Sequence, residues 1–269
     1  LRAGGAEQEP LLQDIAGGRI ATVAFLDGGD WGGANLGLEM TREGVVSGSK
    51  TFVGCGHEAS LILVVGQCDN APAIAVVDAA DLKADAISVN TLIDLTKRTA
   101  QIDFTGVSAK AVLTGERVVA AIRDYRLLGA LLTAAEAAGS AARCLEVIVD
   151  YLKTRKQFGK LIGSYQALKH PTVDIYCGVE DARSFCYHAA SLLDADSLSH
   201  DAEIACRMAK VSAGQTMSYA GDRAVQFHGG IGFTWDCDST LFIRRGQWTH
   251  QVFGDAIHHR KRLASLLLD

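Results

Sequence analysis

A chain of 269 residues is long enough to bury one large hydrophobic core or two smaller ones. It is 48% hydrophobic and 21% charged, with a formal net charge of -5. That slightly acidic balance argues against nucleic acid as a partner, because affinity for a polyanion comes from clustered Lys and Arg.

In chain order, a short helix is expected at residues 10–15. Up to about Gly115 the apolar residues then fall in short runs broken by Gly, Asp and Asn, as at 21–26, 61–65, 73–77 and 101–104. Such runs read as an all-β domain spanning 21–115. From Glu116 onward alanine dominates and Pro almost vanishes. One stripe runs Leu127, Leu131, Ala134, Ala138, Ala141, Leu145, Ile148 and Leu152, in alternating steps of four and three, the seam of a long packed helix. A second stripe covers Leu168, Ile175, Val179, Ala182, Cys186, Ala189 and Leu193. A third helix is expected over 201–227, with shorter ones near 239–253 and 256–268. The expected fold class is therefore α+β, a central β-sheet domain (barrel or sandwich) followed by a C-terminal up-and-down four-helix bundle over 116–269.

Cys55, Cys68, Cys144, Cys177, Cys186, Cys206 and Cys237 make an odd set without a C-x-x-C pair. Neither a disulfide framework nor a zinc site follows from that spacing, and a reducing, cytoplasmic compartment is expected. No run approaches the roughly 18 apolar residues of a membrane span, and no signal peptide leads the chain, so no membrane partner is expected. The first residue is Leu rather than Met, so the chain reads as the remainder of something longer or as a processed protein. The basic run Arg260-Lys261-Arg262 is expected to solvate a helix end. The eight His residues include no H-x-x-x-H pair with a nearby carboxylate, so no metal site is expected. A G-x-S-x-G nucleophile elbow is also missing.

Two motifs carry chemistry. Tyr151, Arg155, Gln157, Phe158, Gly159, Ile162 and Gln166 stand in the spacing Y-x-x-x-R-x-Q-F-G-x-x-I-x-x-x-Q at the end of the first long helix. A guanidinium there can give two parallel hydrogen bonds to a phosphate, and Gly159 is expected to stop the helix so that the chain turns away. An isolated Arg at a helix C-terminus is more often a dipole partner. The second motif is Gln226-Phe227-His228-Gly229-Gly230-Ile231-Gly232, where glycines let backbone approach an anion and Gln226 offers an amide. A glycine-rich turn between helices is common, so the pair of motifs weighs more than either alone.

Together they resemble the acyl-CoA dehydrogenase family, from about Pro10 to the C-terminus, and the stretch from His170 resembles that family's second bundle helix. The resemblance implies three parts, an N-terminal helical domain, a β domain and a four-helix bundle, with the first largely absent here and residues 1–20 its remnant. It implies FAD as cofactor, acyl-CoA as substrate and electron-transferring flavoprotein as acceptor. By position, the nucleotide contacts would be Arg155, Gln157, Phe158, Ile162, Tyr165, Gln226, Phe227 and Gly230, serving a neighbouring subunit's flavin.

The family reaction needs a carboxylate to take the α-proton while hydride leaves Cβ for the flavin. The usual seat, in an aromatic-Glu-Gly-Thr stretch, falls on Gly254 within Val252-Phe253-Gly254-Asp255-Ala256. The other seat, on the first long helix, falls on Gly129. Asp255 is expected to cap the following helix, and Glu136 lies about two turns, roughly 10 Å, beyond Gly129. The β domain has drifted too. Leu26-Asp27-Gly28-Gly29-Asp30-Trp31 replaces a T-E-P-x-x-G-S-D stretch, and Lys50-Thr51-Phe52-Val53-Gly54 replaces a Trp-Ile-Thr turn. Losses thus gather at the chain's own flavin ring while the motifs facing a neighbour survive. The chain resembles the shortened, base-less subunit of heteromeric actinobacterial acyl-CoA dehydrogenases, some of which act on steroid side chains. The expected role is a subunit completing FAD sites on a catalytic partner. Two alternatives stand beside it, a self-sufficient homo-oligomer using Asp255 or another carboxylate, and a non-enzymatic acyl-CoA- or flavin-binding structural protein.

Overall fold

The computed structural model describes residues 5–28, 31, 36–193 and 198–268. After a 3-10 turn, α1 (Glu9–Ala16) starts with Pro10 in its first turn, where a missing N–H costs nothing. The strands β1 (Ala21–Ala24), β2 (Glu39–Met40), β3 (Val45–Ser47), β4 (Ser49–Gly54), β5 (Leu61–Cys68), β6 (Ala71–Asp78), β7 (Ile87–Asn90), β8 (Thr99–Asp103), β9 (Val107–Ser108) and β10 (Ala111–Leu113) follow. The long helix α2 (Glu116–Thr154) comes next, then a hairpin of β11 (Lys156–Gln157) and β12 (Lys160–Leu161). Four helices complete the chain, α3 (Gln166–Ser191), α4 (His200–His228), α5 (Ser239–Gln251) and α6 (Ala256–Leu268). No described helix is long and apolar enough to cross a membrane.

The chain divides into two compact units, Leu1–Tyr125 and Arg126–Asp269. In the first, a seven-stranded sheet runs β10-β6-β5-β2-β3-β9, with β1 pairing β5 in parallel, and a three-stranded sheet runs β4-β8-β7. The spine is the antiparallel pair β5–β6, in register from Leu61↔Asp78 to Cys68↔Ala71. Its turn residues Asp69 and Asn70 both take positive φ, the geometry of a tight two-residue hairpin. Ile62, Val64, Ala73, Ala75, Val77, Ala100, Ile102 and Phe104 fill the core of this unit. The outer face of the β5–β6 pair is covered by a smaller cluster of Phe25, Leu26, Val65, Ile74 and Val118.

The second unit is helical, and its core is built largely from alanine. Ala134, Ala141, Ala182, Ala189, Ala202, Ala209, Ala213, Ala220 and Ala224 are fully buried, with Ile148, Ile175 and Met217 filling the space between backbones. Small residues let helix backbones approach closely, so a Cys144 thiol on α2 reaches the Ala220 carbonyl on α4 at 3.4 Å. The stripe expected on α2 lies on this core, Leu145 at its edge. On α3 the helix ends at Ser191, and Leu193 lies beyond it and is exposed. The expected 239–253 helix ends at Gln251, because Phe253 and Gly254 both take positive φ.

Ile148 has no exposed surface in this core, so Ile148→Ala should lower unfolding free energy by about 2–5 kcal/mol. Chemical denaturation of the purified protein measures this, and a loss below about 1 kcal/mol would mean that the helices re-close over the site.

Candidate functional site

The first motif folds as a helix end followed by a hairpin. Helix α2 stops at Thr154, whose hydroxyl turns back to the Asp150 carbonyl at 3.0 Å. Gly159 is therefore not the helix stop that its sequence suggests. Gln157 pairs with Lys160, leaving Phe158 and Gly159 as a two-residue turn with φ of 51° and 76°. Positive φ at both central residues is the I′ hairpin geometry, which matches the twist of the flanking strands. Phe158 adopts it at a conformational cost of about 1–3 kcal/mol, and its ring is 91% exposed. The Tyr165 hydroxyl donates to the Gln157 carbonyl at 3.2 Å, and the Ile162 amide donates to the Arg155 carbonyl at 2.9 Å. The Arg155 and Gln157 side chains are exposed, and the Arg155 guanidinium has no partner among the described residues.

The second motif sits at the end of α4. Gly229 leaves the helix with φ 63°, opening a 3-10 turn over Gly229–Phe233. A Cβ added at Gly229 or Gly230 would meet no atom within 4 Å, so this turn is open to a ligand. Gln226 beside it is exposed. The structure joins the two motifs through Tyr151 and His228, whose rings stack with centroids 4.1 Å apart. Of the eight expected contacts, Ile162 and Phe227 have their side chains in the bundle core and Tyr165 is half-buried. Arg155, Gln157, Phe158, Gln226 and Gly230 face solvent. An exposed guanidinium, an amide and an unobstructed glycine turn suit an anionic, diphosphate-bearing group.

The two glycines at the expected seats of the base converge. A Cβ on Gly129 would overlap ring carbons of Phe253, which fills that space. At Gly254, with φ 102°, a Cβ would lie 2.7 Å from the His258 ring and 3.0 Å from His259 Nε2. A buried relay holds this loop. Glu203 pairs with Arg207 at 2.5 Å, Arg207 Nη1 lies 3.3 Å from His259 Nδ1, and His259 Nε2 lies 3.0 Å from the Phe253 carbonyl. A carbonyl only accepts and a guanidinium only donates, so His259 is neutral with its hydrogen on Nε2. Burial, reinforced by the charges of Lys210 and Arg207, pushes its pKa down to about 3. Lys210, itself buried and lowered by burial to about 8, donates to the Thr249 and His250 carbonyls at 2.6 and 3.1 Å. It thereby caps the end of α5.

Neither carboxylate near the seats is available. One Asp255 oxygen accepts the His258 amide at 2.7 Å, capping α6 as its sequence suggests, and Glu136 pairs with Arg245 at 2.6 Å. In the first unit Lys50 is fully buried and donates to the Phe25 carbonyl at 3.0 Å and to Asp27 at 2.7 Å. Asp27 in turn accepts the Gly37 and Leu38 amides. Phe52, in the stretch that replaces the Trp-Ile-Thr turn, takes φ 51°, while Gly29 and Asp30 lie outside the described residues. Among the described residues no group of three or more His, Cys, Asp or Glu could hold a metal ion.

Sequence reading missed Arg207, Lys210 and His259. A signal existed, since Glu203, Arg207 and Lys210 recur at helical spacing on a face of α4 that otherwise carries small or apolar residues such as Cys206, Ala213, Gly214 and Met217. Polar residues on a core stripe need buried partners.

Residues 109–266 match the family model described as acyl-CoA dehydrogenase, C-terminal domain. The acyl-CoA dehydrogenase IpdE2 of Mycolicibacterium smegmatis is 39% identical over 134 residues, which is 50% of this chain and 40% of that protein. The chain thus covers well under two thirds of that relative. The acyl-CoA dehydrogenase FadE27 of Mycobacterium tuberculosis is 30% identical over 271 residues, covering 95% of this chain and 69% of its own. Among solved structures, one from the ChsE4-ChsE5 complex of Mycobacterium tuberculosis superposes with a TM-score of 0.80 at 26% identity, covering 96% of this chain and 69% of that one.

Two outcomes follow from the sealed base seat. Gly129→Glu should lower stability by roughly 2 kcal/mol or more through overpacking against Phe253, and it should restore no activity. The added substitution Phe253→Ala should recover part of that loss. A Gly129→Glu protein as stable as the parent in thermal melts would show that the ring moves aside freely. Separately, unfolded His259 takes up a proton near pH 6.5 while the folded form resists until about 3. Stability should therefore fall as pH drops through this window, by up to about 1.4 kcal/mol per unit from this one group. His259→Leu should flatten that slope, as read from denaturant melts at successive pH values. An unchanged slope would put His259 outside the acid response.

Proposed function

The chain belongs to the acyl-CoA dehydrogenase family, and on that premise we propose that it is a subunit that completes FAD sites on a catalytic partner and supplies no base of its own. One observation carries this reading. The two seats of the base are glycines without room for a side chain, Gly129 against the Phe253 ring and Gly254 against His258 and His259, while the residues suited to a diphosphate stand exposed at Arg155 and the Gln226–Gly230 turn.

The reaction in this reading is α,β-dehydrogenation of an acyl-CoA thioester. FAD, when bound, supplies the hydride acceptor. A partner carboxylate takes the α-proton, and electron-transferring flavoprotein is the proposed acceptor of the electrons. This chain's part is binding and orientation. Arg155 pairs with the diphosphate, Gln157 and Gln226 offer amides, and Phe158 presents its ring to the nucleotide from a strained turn. Gly230 permits close approach of the backbone, while Ile162, Tyr165 and Phe227 hold these groups in place from the bundle side. A hetero-oligomer is favoured over a homo-oligomer, because Asp255 is engaged in capping α6 and leaves no carboxylate at the seat. A heteromer is also what the ChsE4-ChsE5 complex is by its name. The described cysteines are all free thiols, which fits the cytoplasm as the proposed location.

The division of labour sets the flavin content. One kind of site would take its ring pocket and base from the partner and its diphosphate grip from this chain. The other would need this chain's ring pocket, where several hydrogen bonds of about 1 kcal/mol each are gone. We expect one flavin per heterodimer, measured by absorbance against total protein after gel filtration. Two per pair, or a flavin-saturated homo-oligomer that turns over acyl-CoA, would refute the proposal.

A further inference from the structure

We propose that His228 is a positioning residue, whose ring, clamped between Tyr151 and Ser239, sets the Gln226–Gly230 turn against the Arg155 hairpin for nucleotide binding. This rests on the flavin reading above and adds to it a residue that touches neither reacting atom nor base seat.

The need for such a clamp comes from the glycines. Gly229 and Gly230 have no side chains with which to anchor themselves, and both are exposed. Their position is set by what flanks them. On one side stands His228, the last residue of α4. Its ring stacks on Tyr151 at 4.1 Å between centroids and 24° between planes. Tyr151 lies on α2 one helical turn before Arg155, so the stack ties the last turn of one motif's helix to the last residue of the other's. The Tyr151 hydroxyl also donates to the His228 carbonyl at 3.5 Å, a long bond that adds direction more than strength.

The ring is fixed from two further directions. His228 Nδ1 lies 2.7 Å from the Ala224 carbonyl, which can only accept, so Nδ1 carries the hydrogen. Ser239 Oγ, on the first residue of α5 and fully buried, lies 3.1 Å from the same nitrogen and 3.0 Å from Cys237 Sγ. Three helices therefore converge on one imidazole. A buried ring held by a stack and hydrogen bonds has little freedom, and that rigidity passes to the glycines that follow it.

The test is FAD affinity of the purified assembly, stripped of flavin and titrated by fluorescence at a temperature well below its melting point. Tyr151→Leu and His228→Ala should each raise Kd about tenfold, and the double variant should be little worse than either, since both remove the same stack. His228→Phe keeps a stacked ring and should stay within about threefold of the parent. It also carries the test, together with Tyr151→Leu, if His228→Ala fails to fold. Melting temperatures lowered with Kd unchanged, or effects that simply add in the double variant, would overturn the positioning role. Arg155→Ala separates the two levels. If it leaves Kd unchanged, the flavin reading itself fails. If it weakens FAD while Tyr151→Leu and His228→Ala do not, only the clamp is lost.

Discussion

Phe253 and Gly254 adopt left-handed backbone geometry, which is strained for a bulky aromatic residue and persists only where the surroundings impose it. Here they are imposed from below by the Glu203–Arg207–His259 relay, which ends on the Phe253 carbonyl, and from behind by Lys210, which closes the end of α5. The consequence is steric. The Phe253 ring is driven onto Gly129, and the rings of His258 and His259 leave no room for a side chain at Gly254, so both positions that a base could occupy are filled. Each glycine is therefore part of a fitted interior, and a carboxylate cannot be added to it without moving a ring. Neutral His259 is central, since a proton on Nδ1 would face the Arg207 guanidinium.

Elsewhere in the helical unit the same physics gives the opposite result. The ends of α2 and α4 are also tied by a buried histidine, but there the ring holds an open turn instead of a plug. Phe158 is strained and its ring lies in solvent, and the Arg155 guanidinium has no partner among the described residues. Strain and unpaired charge at a surface are what a binding site retains before its ligand arrives. One region of the unit is sealed and another is left unsatisfied, and the proposed non-catalytic, cofactor-holding role reflects that contrast.

The β unit shows how far a fold can keep its frame while its chemistry changes. The β5–β6 spine and its alternating core are ordinary antiparallel packing. The charged pair Lys50–Asp27 lies where contacts to a flavin ring were expected, and it serves the protein itself. Burial lowers the Lys50 pKa, and the hydrogen bond that Lys50 donates to Asp27 opposes that shift. Asp27 then spends its remaining acceptor capacity on two backbone amides, which pins the start of a loop.

Much of this was legible in the residues. The period of the α2 stripe named its core face, the short β-branched runs named the sheets, and the spacing from Tyr151 to Gln166 located the hairpin. These are local signals, each carried by neighbours in sequence. Asp255 as a helix cap was readable for the same reason. What the sequence could not supply was the meeting of distant residues. That the Phe253 ring closes over Gly129 and that Tyr151 stacks on His228 depend on contacts up to 124 residues apart in the chain, and that Gly159 turns a hairpin instead of stopping a helix depends on the pairing of the strands beside it. Polar residues such as Arg207, Lys210 and His259 look like surface residues until folding buries them. Only the packed helices decide whether each one meets a partner, because desolvation and hydrogen bonding depend on the whole neighbourhood and not on the residue's own identity.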